Sequence, residues 1–152
     1  MHLSAHLTPA HARPAVVRDA CNLITAEVIR ASGVSGVAVR SAYRVLTGIR
    51  PGMVPSAVDG LLDPFADALD PFYQEHLATR VPLTHILAEQ RTSMAEALLA
   101  VTDDRAQRTT QATLRRAYHR VRGSARAYVE AAAPGIAELI EAHTPPLPVD
   151  PG

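Results

Sequence analysis

The chain has 152 residues, enough for one domain with its own core. Its 15 basic residues balance its 15 acidic ones, so overall charge gives no attraction to nucleic acid. One cysteine, Cys21, excludes an internal disulfide, and no apolar run approaches the ~18 residues of a membrane span.

Aromatics are 4% and Trp is absent, so the core must be built from Val, Leu, Ile and Ala. The basic residues are all arginine, which fits a GC-rich coding bias as well as selection for bidentate guanidinium contacts. The first residues carry neither a basic nor an apolar signal-peptide region. Together with the lone cysteine, this suits a cytoplasmic protein.

Residues 1–12 hold His2, His6 and His11 among small residues and read as a flexible leader. A helix is predicted over 14–32. Pro14 opens it, Val17, Ala20, Cys21, Ile24, Val28 and Ala31 form its apolar stripe, and Gly33 stops it. Cys21 falls on that stripe as a small core residue. A second helix spans 35–49, with Ser35 as cap and Val37, Ala38, Ala42, Val45, Leu46 and Ile49 on its apolar face. Arg50-Pro51-Gly52 turns the chain.

Asp63-Pro64-Phe65 and Asp70-Pro71-Phe72 stand seven residues apart. In each, Asp can cap, Pro fits a first helical position and Phe can face the core. Because Pro71 lacks an N–H and crowds the carbonyl of Asp67, a kink or restart is predicted at each step. Pro82 starts a short helix through Leu83, Ile86 and Leu87. A further helix covers 93–102, with Ser93 and Glu96 as a capping box. Asp103-Asp104 then begins a polar link to about residue 110. Residues 111–133 form the longest periodic stretch, with Leu114, Ala117, Tyr118, Val121, Ala125, Tyr128 and Ala132 in phase across Gly123. Pro134-Gly135 breaks it, a last helix runs to His143, and 144–152 is a Pro-rich disordered tail. The expectation is an all-α, compact single-domain bundle over 13–143. It has about six or seven helices, several short and Pro-kinked, and one long helix in the C-terminal half.

The charges are segregated. Residues 59–75 hold five acids and no arginine, whereas 103–126 hold seven arginines against two aspartates. The two segments can pair within one chain, or meet across a homo-oligomer interface. Alternatively, Arg115, Arg116, Arg120, Arg122 and Arg126 can bind an anionic partner. Nucleic acid is the weakest such partner, because no helix-turn-helix spacing or aromatic RNA-binding set accompanies the arginines.

No catalytic signature, cofactor motif or metal set stands out. Glu75, His76, His85 and Glu89 lack matching ligands elsewhere and read as solvated surface. The leading functional expectation is therefore a non-enzymatic binding protein acting as a homo-oligomer. The alternative is a small-molecule-binding or catalytic helical pocket using Tyr43, Tyr73, Tyr118 and Tyr128, with an arginine to hold an anion. A cavity of several hundred cubic ångströms lined by two of these tyrosines would favour the alternative. His119, beside a core tyrosine, should point to solvent.

SGVSGVAV (32–39), RPGMVPSAVDGLL (50–62), ALLAVTDDRA (97–106) and, more loosely, RRAYHRVRGSARAYV (115–129) resemble a family of small helical actinobacterial proteins of uncharacterised function. The resemblance covers about 110 residues and implies a compact helical domain without assigning a reaction. The arginine-only basic set and the Pro-rich tail look like departures from the family pattern.

Overall fold

The structure, a computed structural model, describes residues 1–49 and 52–149. Among these residues there are eight α-helices and no strand. They are α1 (Ser4–Leu7), α2 (Arg13–Arg30), α3 (Gly33–Ile49), α4 (Met53–Thr79), α5 (Leu83–Glu89), α6 (Arg91–Arg108), α7 (Ala112–Ala131) and α8 (Ala133–His143). The all-α class follows the periodicity of the sequence, but the count exceeds six or seven. The side chains of Ser35, Leu46 and Ile49, the Arg50-Pro51 corner and residues 150–152 lie outside the described residues.

Five helices make a ring. α2 packs on α4, α4 on α6, α6 on α7, α7 on α3, and α3 returns to α2. α5 and α8 close one end, and α1 lies over α4 and α8. The core sits at that closed end. Leu69 and Phe72 of α4 meet Leu83 and Leu87 of α5 and Ile136 and Ile140 of α8. Each fully buried Leu or Ile is worth roughly 1.5–3 kcal/mol, so hydrophobic stabilisation is concentrated there. α8 approaches α2 closely at Gly135, where a Cβ would lie 2.4 Å from Cδ1 at the movable tip of the Leu23 side chain.

Four sequence expectations need correction. First, α4 runs unbroken for 27 residues through Pro64 and Pro71. Each proline leaves the carbonyl four residues back, on Gly60 and Asp67, without its helical donor. Burial outweighs that cost, since Leu62, Ala66, Leu69, Phe72 and Tyr73 all reach the core only if the helix keeps its phase. The aspartates serve other elements instead. Asp63 and Asp59 bind Arg13 of α2 at 2.7 and 3.2 Å. Asp70 accepts the Leu3 N–H at 2.8 Å and meets His2 Nδ1 at 2.8 Å.

Second, residues 1–12 are packed rather than a free leader. Leu3, just before α1, and Leu7, its last residue, are buried in the core. Four helical residues cannot hold themselves, so burial and the Asp70 carboxylate supply what local propensity lacks.

Third, α6 begins at Arg91, after Gln90, with no side-chain cap. Met94 and Ala95 are fully buried, so packing rather than the Ser93–Glu96 box sets its start. The helix also continues through Asp103-Asp104 to Arg108. Asp103 is matched by Arg122 of α7, and Asp104 by Arg108 one turn on at 2.7 Å.

Fourth, the apolar stripe predicted for α2, which Val16, Leu23 and Ile29 widen, is only partly buried. Val16 is buried, Cys21 is half-buried, and Ile24 and Ile29 are exposed. α7 does run unbroken across Gly123. Pro134 lies in the first turn of α8, where its missing N–H costs nothing. Residues 144–149 have no regular structure, and the Pro148 carbonyl accepts from Arg80 Nη1 at 2.7 Å.

Candidate ligand cavity

Packing changes character at α7. Leu114, Ala117, Tyr118, Val121 and Tyr128 are in helical phase, yet no residue of this helix is fully buried. The face looks onto space inside the ring. One cavity of about 460 Å³ is walled by Val28 of α2, Val39, Ala42 and Tyr43 of α3, and Ala57 and Leu61 of α4. Thr102 and Arg105 of α6 and Tyr118 and Val121 of α7 complete it. A second cavity of about 320 Å³ lies towards the core. Its walls are apolar apart from Glu27, Thr102 and the hydroxyl of Tyr128. Val28, Val39 and Thr102 belong to both walls, so the two spaces adjoin inside the ring.

A polar cluster joins α6 to α7 beside the first cavity. Tyr118 donates its hydroxyl proton to Asp103 Oδ1, and the Tyr118 and Thr102 hydroxyls are 2.8 Å apart. Arg122 approaches the same carboxylate from the other side, with Nε and Nη2 donating at 2.7 and 3.1 Å. The Arg122 hydrogen bond holds the Asp103 carboxyl below the usual carboxylate range. Burial first, and donation to Asp103 second, push the Tyr118 phenol up to about 12. At neutral pH Tyr118 is therefore a neutral donor whose proton is committed to Asp103. It shapes the wall and cannot act as a base.

The predicted tyrosines divide. Tyr43 and Tyr118 line one cavity and Tyr128 the other, while Tyr73 is buried outside both, edge-on to His6 at 6.1 Å. Tyr43 touches Thr25 at 3.3 Å between their hydroxyl oxygens.

The arginine face is also split. Arg122 binds Asp103, and Arg126 meets Glu96 and Glu130 at 3.5 and 3.6 Å. Arg115 donates to the Thr109 carbonyl, and Arg116 and Arg120 are exposed. His119 is exposed. Among the described residues, the acids of 59–75 meet Arg13, the α1 backbone and Gln90 rather than α7. No group of three or more metal-ligating side chains occurs among the described residues, and His85 and Glu89 are exposed.

Sequence reasoning missed Arg105 and Glu27. Ending the helix at residue 102 hid Arg105, although Leu98, Thr102, Arg105 and Thr109 share helical spacing. Glu27 is not among the apolar residues of the predicted α2 stripe, yet it lines the deeper cavity and its side chain is only 16% exposed. A model described as a family of unknown function (DUF6918) matches residues 3–144. No curated protein and no solved structure matches the chain.

Proposed function

The chain belongs to this family of unknown function, and from its cavities we propose that it binds an elongated apolar small molecule inside the five-helix ring. The observation that carries this reading is the pair of adjoining cavities, about 460 and 320 Å³, in a region where α7 buries nothing fully. Volumes of this size lie in the ~300–1,000 Å³ range of small-molecule sites. A tightly packed interior has few voids larger than a water molecule, so an occupant would recover contacts that the ring lacks. The walls offer aliphatic surface with a few polar groups at one end, which is the usual composition of such a site.

Fluorescence titration with N-phenyl-1-naphthylamine, a neutral apolar probe, tests the proposal. Saturable one-to-one binding is expected. Val39→Phe, at the wall common to both cavities, should abolish it while leaving the far-UV circular dichroism unchanged. Absence of saturable binding to the wild-type protein would end this reading.

Self-association is a second reading, favoured by one observation. Outside the ring, Val37, Ala38, Ser41, Ala42, Val45, Ala117 and Arg120 line an apolar groove between α3 and α7, and Val37 is 57% exposed. Light scattering after size exclusion, at low and high salt, should find a dimer that Val37→Asp disrupts. A strict monomer rejects it. The lone cysteine supports a cytoplasmic setting, and no described helix is long and apolar enough to cross a membrane.

A further inference from the structure

Arg105 is the cation at the mouth of the ring. It lines the 460 Å³ cavity and also an outer cleft of about 690 Å³ that holds Arg108, Asp104 and Gln111. Across from it stands Gly60 of α4, where a Cβ would lie 4.0 Å from Arg105 Nη2. The carboxylates in this neighbourhood are already engaged. Asp104 binds Arg108 at 2.7 Å, Asp59 binds Arg13 at 3.2 Å, and Asp103 binds Arg122 at 2.7 Å. The Arg105 guanidinium makes no ion pair or hydrogen bond among the described residues. A guanidinium with five donors therefore faces a cavity with none of them used.

Below Arg105 the walls are mostly apolar, with Glu27, Thr102 and Tyr128 the polar residues of the deep cavity. On α6 the deep cavity ends at Leu98, seven residues from Arg105, and on α4 the walls run from Leu61 of the first cavity to Leu69 of the deep one. At 1.5 Å rise per residue these spans are about 10 and 12 Å. An extended carbon chain with bonds of ~1.5 Å advances about 1.25 Å per carbon, so the depth takes roughly eight to ten carbons. Resting on the cavity-binding reading above, we propose that the ligand is an unbranched medium-chain carboxylate. Its head is paired with Arg105 and its tail extends between α2, α4 and α6 towards Phe65 and Leu69. One unpaired guanidinium matches one planar carboxylate, which it can hold through two parallel N–H donors. A phosphate monoester would bring a second charge that the mouth does not balance, with Asp104 close by.

Displacement of N-phenyl-1-naphthylamine from the full chain tests this. Decanoate, 1-decanol, decyl phosphate and butyrate would be compared on the wild-type protein and on Arg105→Gln, a substitution at an exposed position whose fold is checked by thermal melting. Decanoate should compete about tenfold better than decanol, a difference equivalent to one charge-assisted contact. Butyrate should not compete. Arg105→Gln should bring decanoate down to the decanol level and leave decanol unchanged. Equal competition by decanol and decanoate, equal loss of both in the variant, or tighter binding of decyl phosphate overturns the carboxylate assignment while the cavity reading stands. If the probe itself does not bind, the cavity reading fails as well.

Discussion

Tyr118 ties stability to alkaline pH in a way that one substitution can expose. Its phenol is pushed from 10.0 up to about 12 by burial and by donation to Asp103. A phenol whose folded pKa is raised contributes stability that is fully present below the unfolded value and is lost as pH rises towards the folded one. Between pH 10 and 12 the unfolded chain releases this proton while the folded chain keeps it. One pKa unit is worth about 1.4 kcal/mol; because the phenol is partly exposed and solvent screens part of the effect, the loss by pH 11 is about 1 kcal/mol.

Tyr118→Phe removes the titrating group. Near pH 8 it should cost about 1 kcal/mol, one net hydrogen bond. Thr102 still donates to the Leu99 carbonyl at 3.0 Å, and Asp103 still holds Arg122. The wild-type advantage should therefore vanish near pH 11. Urea unfolding followed by circular dichroism at pH 8 and 11 measures the difference, and tyrosinate absorbance should show late-ionising phenol. An unchanged difference at the two pH values, or the absence of a late-ionising phenol from the absorbance titration, would refute the reasoning.

Leu3→Ala should destabilise the protein by about 2–4 kcal/mol in urea, because Leu3 is fully buried against α4 and α8; a change under 0.5 kcal/mol would mean that the first residues are not part of the core. Asp19 has its carboxyl lowered, first by the hydrogen bond to His143, whose Nε2 is 2.6 Å from Oδ2. A depressed carboxyl contributes stability above its unfolded value, 3.8, that is lost as pH falls through the folded one. Asp19→Asn should therefore flatten the stability profile below about pH 4, and an unaltered profile would count against the contact. Gly36→Ala should cost about 1–3 kcal/mol, since its Cβ would come within 2.7 Å of the Ala31 backbone. Gly135→Ala should be nearly neutral, because only the tip of the Leu23 side chain must move. Thermal melting of the two variants distinguishes the cases.

Helices with uninterrupted periodicity were legible from the chain. The stripe from Leu114 to Tyr128 marked α7 across Gly123, and Pro82 marked the start of α5, because apolar spacing and terminal signals act over a few residues. The interruptions misled for the same reason. Asp-Pro and Asp-Asp are local break signals, and they were read without knowledge of Arg13, Leu3 and Arg122, which pair with those aspartates from distant parts of the chain.

The candidate site was half legible. Tyrosines at helical spacing suggested a pocket, and Tyr43, Tyr118 and Tyr128 do face the ring interior, whereas Tyr73 is buried beside α1. Arg105 carried no local mark that set it apart from Arg108. Its distinction is that Arg108 has Asp104 one turn away and Arg105 has no such partner. Composition and period determined that the chain would be helical with an aliphatic core, since propensity and amphipathicity belong to each segment by itself. Tertiary structure alone decided that α4 would pass straight through two prolines and that five helices would close around space rather than fill it. Those outcomes depend on side chains brought together from positions up to about 100 residues apart in the sequence.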